Sequence, residues 1–291
     1  MYFPTAEITC NPLFPFFVAF AISLCTSTAG VSGGFLLLPF QMSILGYTNP
    51  SVSATNHFFN ILACPAGVLR YAREGRLLWP IAVTTAIGTL PGVFIGAVIR
   101  LELLPDPHDF RIFAGVILLL LGLRMAKGVI GEKRQASLAS EGNKQITLLS
   151  FDSRAIVFSF RGEEHSISTK PLAVLSLVVG LIGGIYGIGG GAFISPILIT
   201  IMHVPVYVVA GATLLSTAIA SLAGVLSFSF LSFFYTSLQA SPDLRLGLCI
   251  GLGGMIGMYL GARLQKYVPA KWIKVFLVVI VLGTAFKYLF L

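Results

Sequence analysis

The sequence predicts an all-α polytopic membrane protein built from two inverted repeats, each a glycine-broken helix or re-entrant hairpin followed by three transmembrane helices, with a small β-hairpin in the linker. Three observations carry this. The chain is 56% hydrophobic and only 10% charged, with a mean hydropathy of +0.91, outside the range of soluble globular domains. Apolar runs recur near 12–30, 52–71, 78–99, 109–130, 171–188, 207–234, 245–263 and 272–290, each close to the roughly 20 residues that cross a bilayer as helix. Finally, Gly30-Val31-Ser32-Gly33-Gly34-Phe35-Leu36-Leu37-Leu38-Pro39 matches Gly187-Ile188-Gly189-Gly190-Gly191-Ala192-Phe193-Ile194-Ser195-Pro196 at a constant offset of 157 (187 − 30, 190 − 33, 196 − 39), and the match resumes at Ala66-Gly67-Val68 against Ala223-Gly224-Val225. A duplicated fold follows.

The first repeat occupies 1–131. A straight helix through 12–29 and 34–47 would be roughly 50 Å long, against a hydrocarbon core of about 30 Å, so the chain must turn back at Gly33-Gly34. Whether this makes a re-entrant hairpin or two tilted crossings, its contribution to the crossing count is even. The three spans that follow make the repeat odd. Residues 132–170 are the only long polar stretch and form the linker. Within it, 144–151 and 154–160 are rich in β-branched and aromatic residues and meet at Asp152-Ser153, which reads as a β-hairpin. A lone hairpin is marginal in water, so it should rest on a neighbouring surface or another subunit, and a homo-oligomer stays open. The second repeat, 171–291, has the same order: a run broken by glycine, the short segment 192–203, then three spans. Two odd repeats in series are inverted. Gly92-x3-Gly96 and Gly257-x3-Gly261, followed by Ala97 and Ala262, read as helix-packing contacts.

Charge gives an independent check. Placing Arg70, Arg73 and Arg76 inside puts the acidic-leaning 100–111 loop outside and the linker, with Lys133 and Arg134, in the cytoplasm. Arg263, Lys266, Lys271 and Lys274 then fall inside as well, and both termini fall outside the cell inner (plasma) membrane. The N-terminus lacks signal-peptide features, so the first run stays as a span. The net charge of +8 comes from basic residues beside spans, which removes the case for nucleic acid. Cys10, Cys25, Cys64 and Cys249 show no CxxC spacing, so neither a disulfide framework nor a metal site is indicated, and no pattern asks for a cofactor.

A helix that begins inside a membrane leaves its first backbone N–H groups without carbonyl partners, and its dipole puts partial positive charge there. Such an end attracts an anion, and glycine lets the ligand reach the backbone. In inverted repeats the tips at Gly33-Gly34 and at Gly189, Gly190 and Gly191 approach the midplane from opposite sides and can share one small anion. Thr26, Ser27, Thr28, Ser32 and Ser195 could complete the shell. Asn56 and Asn60 share a face of the next span, with Thr213 and Thr217 at the same offset of 157. The bland alternatives are that the glycines serve close packing and that the hydroxyls bond their own helix.

Gly187 to Leu198 resembles the GxGGGxxxxPxL signature of the TauE/SafE sulfite exporter family, and the first repeat carries a degraded copy with Ser32 in place of glycine and Gln41 in place of leucine. The resemblance covers both membrane repeats and leaves out the linker. It implies movement of sulfite, other sulfur oxyanions, organosulfonates or carboxylates across a bacterial inner membrane.

All eleven acidic residues lie in loops or at span ends, which argues against cation transport and against an intramembrane acid catalyst. His57 is the one histidine well inside a span. It could donate to an anion, although a neutral imidazole bonded to backbone is the simpler reading. Arg70, Arg124 and Lys127 lie near span ends and read as snorkelling side chains. The leading function is a secondary transporter of a small anion within membrane lipid. A passive anion channel would use the same dipole ends, and a membrane enzyme or assembly factor is a third class.

Overall fold

The computed structural model describes residues 1–28, 31–135, 146–200, 202, 204–264 and 270–290. In chain order come β1 (Tyr2–Phe3), β2 (Ile8–Thr9), α1 (Leu13–Thr28), α2 (Gly34–Ser43), α3 (Ser51–Arg73), α4 (Trp79–Glu102), α5 (Pro107–Gln135), β3 (Ile146–Phe151), β4 (Ala155–Phe160), β5 (Glu163–Ser168), α6 (Thr169–Tyr186), α7 (Gly191–Thr200), α8 (Val206–Leu231), α9 (Leu244–Leu264) and α10 (Ala270–Phe290). Each apolar run carries a helix close to its expected bounds. Local chemistry sets the ends. Pro80 sits in the first turn of α4, where its missing N–H costs nothing, and α6 stops at left-handed Gly187, a common helix terminator.

Among the described residues four helices, α4, α6, α8 and α9, are long and apolar enough to cross a membrane by length and composition alone. The sequence expectation was eight such runs. α3 has the length, at 23 residues, but its first ten residues include Ser51, Ser53, Thr55, Asn56, His57 and Asn60. α1 and α2 are apolar but short.

The helices pair across the repeats. α1 packs on α9 and α6 on α4, α3 lies against both α8 and α9, and α5 lies against α10. The glycines expected to serve packing do so. A methyl group at Gly92 or Gly96 would meet the carbonyls of Leu177 or Leu181, and one at Gly257 or Gly261 those of Phe20 or Leu24. Numbers rise together in both pairs, so α4 runs parallel to α6 and α1 parallel to α9. In contrast, His57 faces Gly224 while Gly67 faces Leu214, and Gly115 faces Leu289 while Gly122 faces Leu282. The helices in corresponding positions of the two repeats, α3 with α8 and α5 with α10, therefore run antiparallel.

Two small sheets cap the bundle. At one end β1 and β2 form a hairpin that sequence reasoning missed. Buried Asp243 anchors it, accepting from the N–H groups of Thr5 and Ala6 at 3.0 Å each while its other oxygen caps the Leu246 N–H at 2.9 Å. In the linker, the hairpin read from the sequence is present as β3 and β4, and β5 extends it to three antiparallel strands. β5 was missed because Glu163, Glu164 and His165 mask its alternation; Lys144 and Gln145 lie outside the described residues. Ile156, Phe158, Phe160 and Ile167 are buried in one apolar cluster with Leu78, Ile81, Leu172 and Val208. The surface on which the hairpin rests is thus supplied by this chain's own helices.

Candidate functional site

The first break lies between α1 and α2. Gly33 keeps ordinary helical backbone, at φ −70° and ψ −8°, and its carbonyl accepts from Leu36 and Leu37 at 3.1 and 3.0 Å. It leans on α1, where a Cβ at Gly33 would stand 3.1 Å from the Ser23 hydroxyl and 3.5 Å from that of Thr26. Ser23 and Ser32 are buried, and their hydroxyls have no hydrogen-bond partner among the described residues. Having no side chain, Gly33 leaves the leading N–H groups of α2 uncapped.

The second break is built differently. Gly187, Gly189 and Gly190 take φ of +87°, +65° and +85°, a left-handed run that side chains resist. Ser32 occupies the position equivalent to Gly189, and serine is tolerated there because the backbone stays out of the left-handed region. Gly191 begins α7 pressed against Thr213 and Thr217 of α8, as Gly34 begins α2 against Asn56 and Asn60 of α3. The pairing read from the offset of 157 is therefore real in space.

Asn56 joins the two breaks. Its amide nitrogen donates to the carbonyl of Gly34 at 2.9 Å and to that of Gly187 at 3.0 Å, and its oxygen accepts from Gln41 at 3.3 Å. Asn60 makes a longer bond, 3.4 Å, to the same Gly187 carbonyl. Ser53 donates to the carbonyl of Ile185 at 2.8 Å. Fully buried Asn56 thus spends both donors on backbone, and its geometry is that of a strut.

The other candidates divide. His57 turns away from the breaks towards α8, with Nδ1 3.3 Å from the Ser221 hydroxyl and the ring packed on Gly224 and Phe228. Ser221 in turn borders Gly189. Thr213 and Thr217 donate to their own helix, at 3.0 Å to Val209 and 2.8 Å to Thr213, and Thr26 and Ser27 do the same on α1. Ser195 is buried within α7. The side chain of Thr28 lies outside the described residues. Sequence reasoning missed Ser23, Gln41, Ser53 and Ser221 as parts of this cluster. Gln41 had a signal, a polar residue in an apolar run. Ser53 and Ser221 had none, since the repeat places Ala210 and Cys64 opposite them.

Among the described residues neutral amides, hydroxyls and backbone groups surround both breaks, and the buried charged residues Arg76, Arg100 and Asp243 sit near helix ends. Apolar helices with two glycine breaks fit a membrane transporter. The chain belongs to the family described as sulfite exporter TauE/SafE, whose profile matches residues 15–288. It is similar to a probable membrane transporter protein of Xylella fastidiosa (strain 9a5c), 26% identical over 214 residues covering 73% of this chain and 70% of the relative. It also resembles the probable membrane transporter protein YunE of Bacillus subtilis (strain 168), 24% identical over 273 residues covering 90% and 92%, and the probable membrane transporter protein ORF9 of Sinorhizobium sp, 25% identical over 282 residues covering 95% and 91%. No solved structure matches the chain.

Proposed function

We propose that this membrane transporter is a secondary transporter that moves a small anion, sulfite or another sulfur oxyanion or an organosulfonate, by alternating access across the cell inner membrane. The observation that carries the reading is the Asn56 strut, which ties the start of α2 at Gly34 to the end of α6 at Gly187, where the second break opens. A single ligand near the midplane can then address both tips. The proposed shell is Gly33, Gly34 and Ser32 with Gly189, Gly190 and Gly191, flanked by Thr28, Asn56, Asn60, Ser195, Thr213 and Thr217, with His57 set behind Gly189 through Ser221. Inverted repeats, 1–131 and 171–291 around a cytoplasmic linker at 132–170, are supported by the antiparallel course of α3 against α8 and α5 against α10. Corresponding helices would run parallel if the repeats were not inverted. With the basic ends of α3 and α9 inside, both termini lie outside.

Counterflow in proteoliposomes tests this. Preloaded unlabelled sulfite should accelerate entry of labelled sulfite, and uptake should saturate. Flux that rises linearly with concentration and shows no counterflow would identify a passive channel. A thermal-shift series of sulfite, sulfate, thiosulfate, sulfoacetate and carboxylates would rank substrates.

A further inference from the structure

We propose that the cavity where α2 and α10 end and α5 begins binds the phosphate group of an anionic phospholipid. It has a volume of about 410 Å³ and is lined by Ser43 of α2, Arg111 and Ile112 of α5, and Lys287, Tyr288 and Phe290 of α10, among others. Two cations converge here from antiparallel helices, and among the described residues no carboxylate forms an ion pair with either. His108 also borders the cavity but is clustered with Asp106 and Asp109, 3.5 Å from the latter, so it is not counted as a third cation.

Two cations in one pocket with no carboxylate partner among the described residues call for a di-oxygen anion such as a phosphate or sulfonate. The lipid source is favoured by what flanks them. Ile112 is 42% exposed and Phe290 is 70% exposed, and both lie on helices that pack mainly on each other, so their outer faces meet acyl chains. A pair of cations beside exposed apolar side chains can meet a headgroup and its acyl chains together. The site also bears on transport. Ser43 donates to the Tyr288 hydroxyl at 2.9 Å and Tyr288 donates to the Pro39 carbonyl at 3.3 Å, so a lipid in the cavity rests against the far end of the helix that begins at Gly34.

The test uses the purified full chain in neutral detergent, with bound lipid counted by native mass spectrometry. Phosphatidylglycerol should be retained in preference to phosphatidylcholine, and sn-glycerol 3-phosphate should not displace it. Arg111→Gln and Lys287→Gln should each weaken retention roughly fivefold. Arg245→Gln, an exposed cation at the same end of the bundle, should leave it unchanged. Equal retention of the two lipids overturns the proposal. So does displacement by the soluble phosphate, which would make this a soluble-anion site, or equal effects of all three substitutions, which would reduce it to general surface charge. Arg111 and Lys287 are exposed, so neither substitution disturbs the packed core, and circular dichroism of each variant checks the fold.

Discussion

Replacing Asn56 with alanine should destabilise the protein by about 2–3 kcal/mol. Two short bonds are lost, at 2.9 and 3.0 Å, each worth about 1 kcal/mol net, and the missing amide leaves a small void worth roughly 1 kcal/mol more. The contribution per bond stays low because Gly34 belongs to α2 and Gly187 keeps Asn60. At about 2–4 °C per kcal/mol for a chain of this order of size, Tm should fall by roughly 5–10 °C. Asn60→Ala is the built-in comparison: it removes one contact of 3.4 Å, at the weak end of the range, and should cost under about 1 kcal/mol. Asn56→Asp keeps the size but turns an acceptor towards two carbonyls and puts a negative charge beside the anion, so it should be at least as damaging as alanine. The assay is thermal unfolding in detergent alongside sulfite counterflow. If Asn56→Ala melts within about 2 °C of wild type, or Asn60→Ala costs as much as Asn56→Ala, the strut is not what joins the breaks.

Three further outcomes are expected. Gly191→Ala would drive its methyl group into the Thr217 hydroxyl and to 2.6 Å from the Thr213 carbonyl, so it should lose at least about 2 kcal/mol; Gly283→Ala, which meets nothing within 4 Å, should be neutral, and melting curves that fail to separate the two refute the packing argument. His57→Gln should keep substrate exchange and its response to an imposed pH gradient, because the imidazole is engaged with Ser221 and packed on Gly224, leaving any proton to travel on the substrate. Exchange that survives in His57→Gln while the gradient response disappears would make His57 the carrier. In the linker, the Ala155 and Arg154 N–H groups hold the Asp152 carboxyl below its ordinary range. The folded value is depressed, so this stabilisation of the turn is present above the ordinary aspartate range and is lost as pH falls through the folded value; hydrogen exchange at 150–157, corrected for intrinsic rate, should accelerate across that acid window in wild type and already be fast at neutral pH in Asp152→Ala.

The fold was legible because its signals were periodic and repeated. The ten helices among the described residues follow from apolar length plus two glycine clusters, and the offset of 157 matched Asn56 and Asn60 to Thr213 and Thr217, residues that hold equivalent places against Gly34 and Gly191. What stayed hidden depended on single contacts between distant segments. Asn56 reaches Gly187 across 131 positions, and no local pattern announces that its amide is committed to backbone. The N-terminal hairpin was invisible for the same reason: two strands of two residues each exist because Asp243, far along the chain, fastens the turn between them.

The duplication also explains why the two breaks differ. At the second, glycine supplies a left-handed backbone and the neighbouring threonine hydroxyls are spent on their own helix. At the first, serine stands where the second has glycine, Gly33 keeps helical backbone, and the hydroxyls of Ser23 and Ser32 are buried with no protein partner among the described residues. A buried hydroxyl left unsatisfied costs about 1–3 kcal/mol, and these two stand beside the start of α2. In the binding site proposed above, the first repeat would supply side-chain donors and the second backbone. Substrate preference should then follow the identity of residues 23 and 32 more closely than that of residues 189–191. Ser32→Gly restores the glycine of the repeat signature, and its effect should be a change in the ranking of oxyanions with little change in Tm. A ranking identical to wild type, measured over the same anion series, would assign selectivity elsewhere.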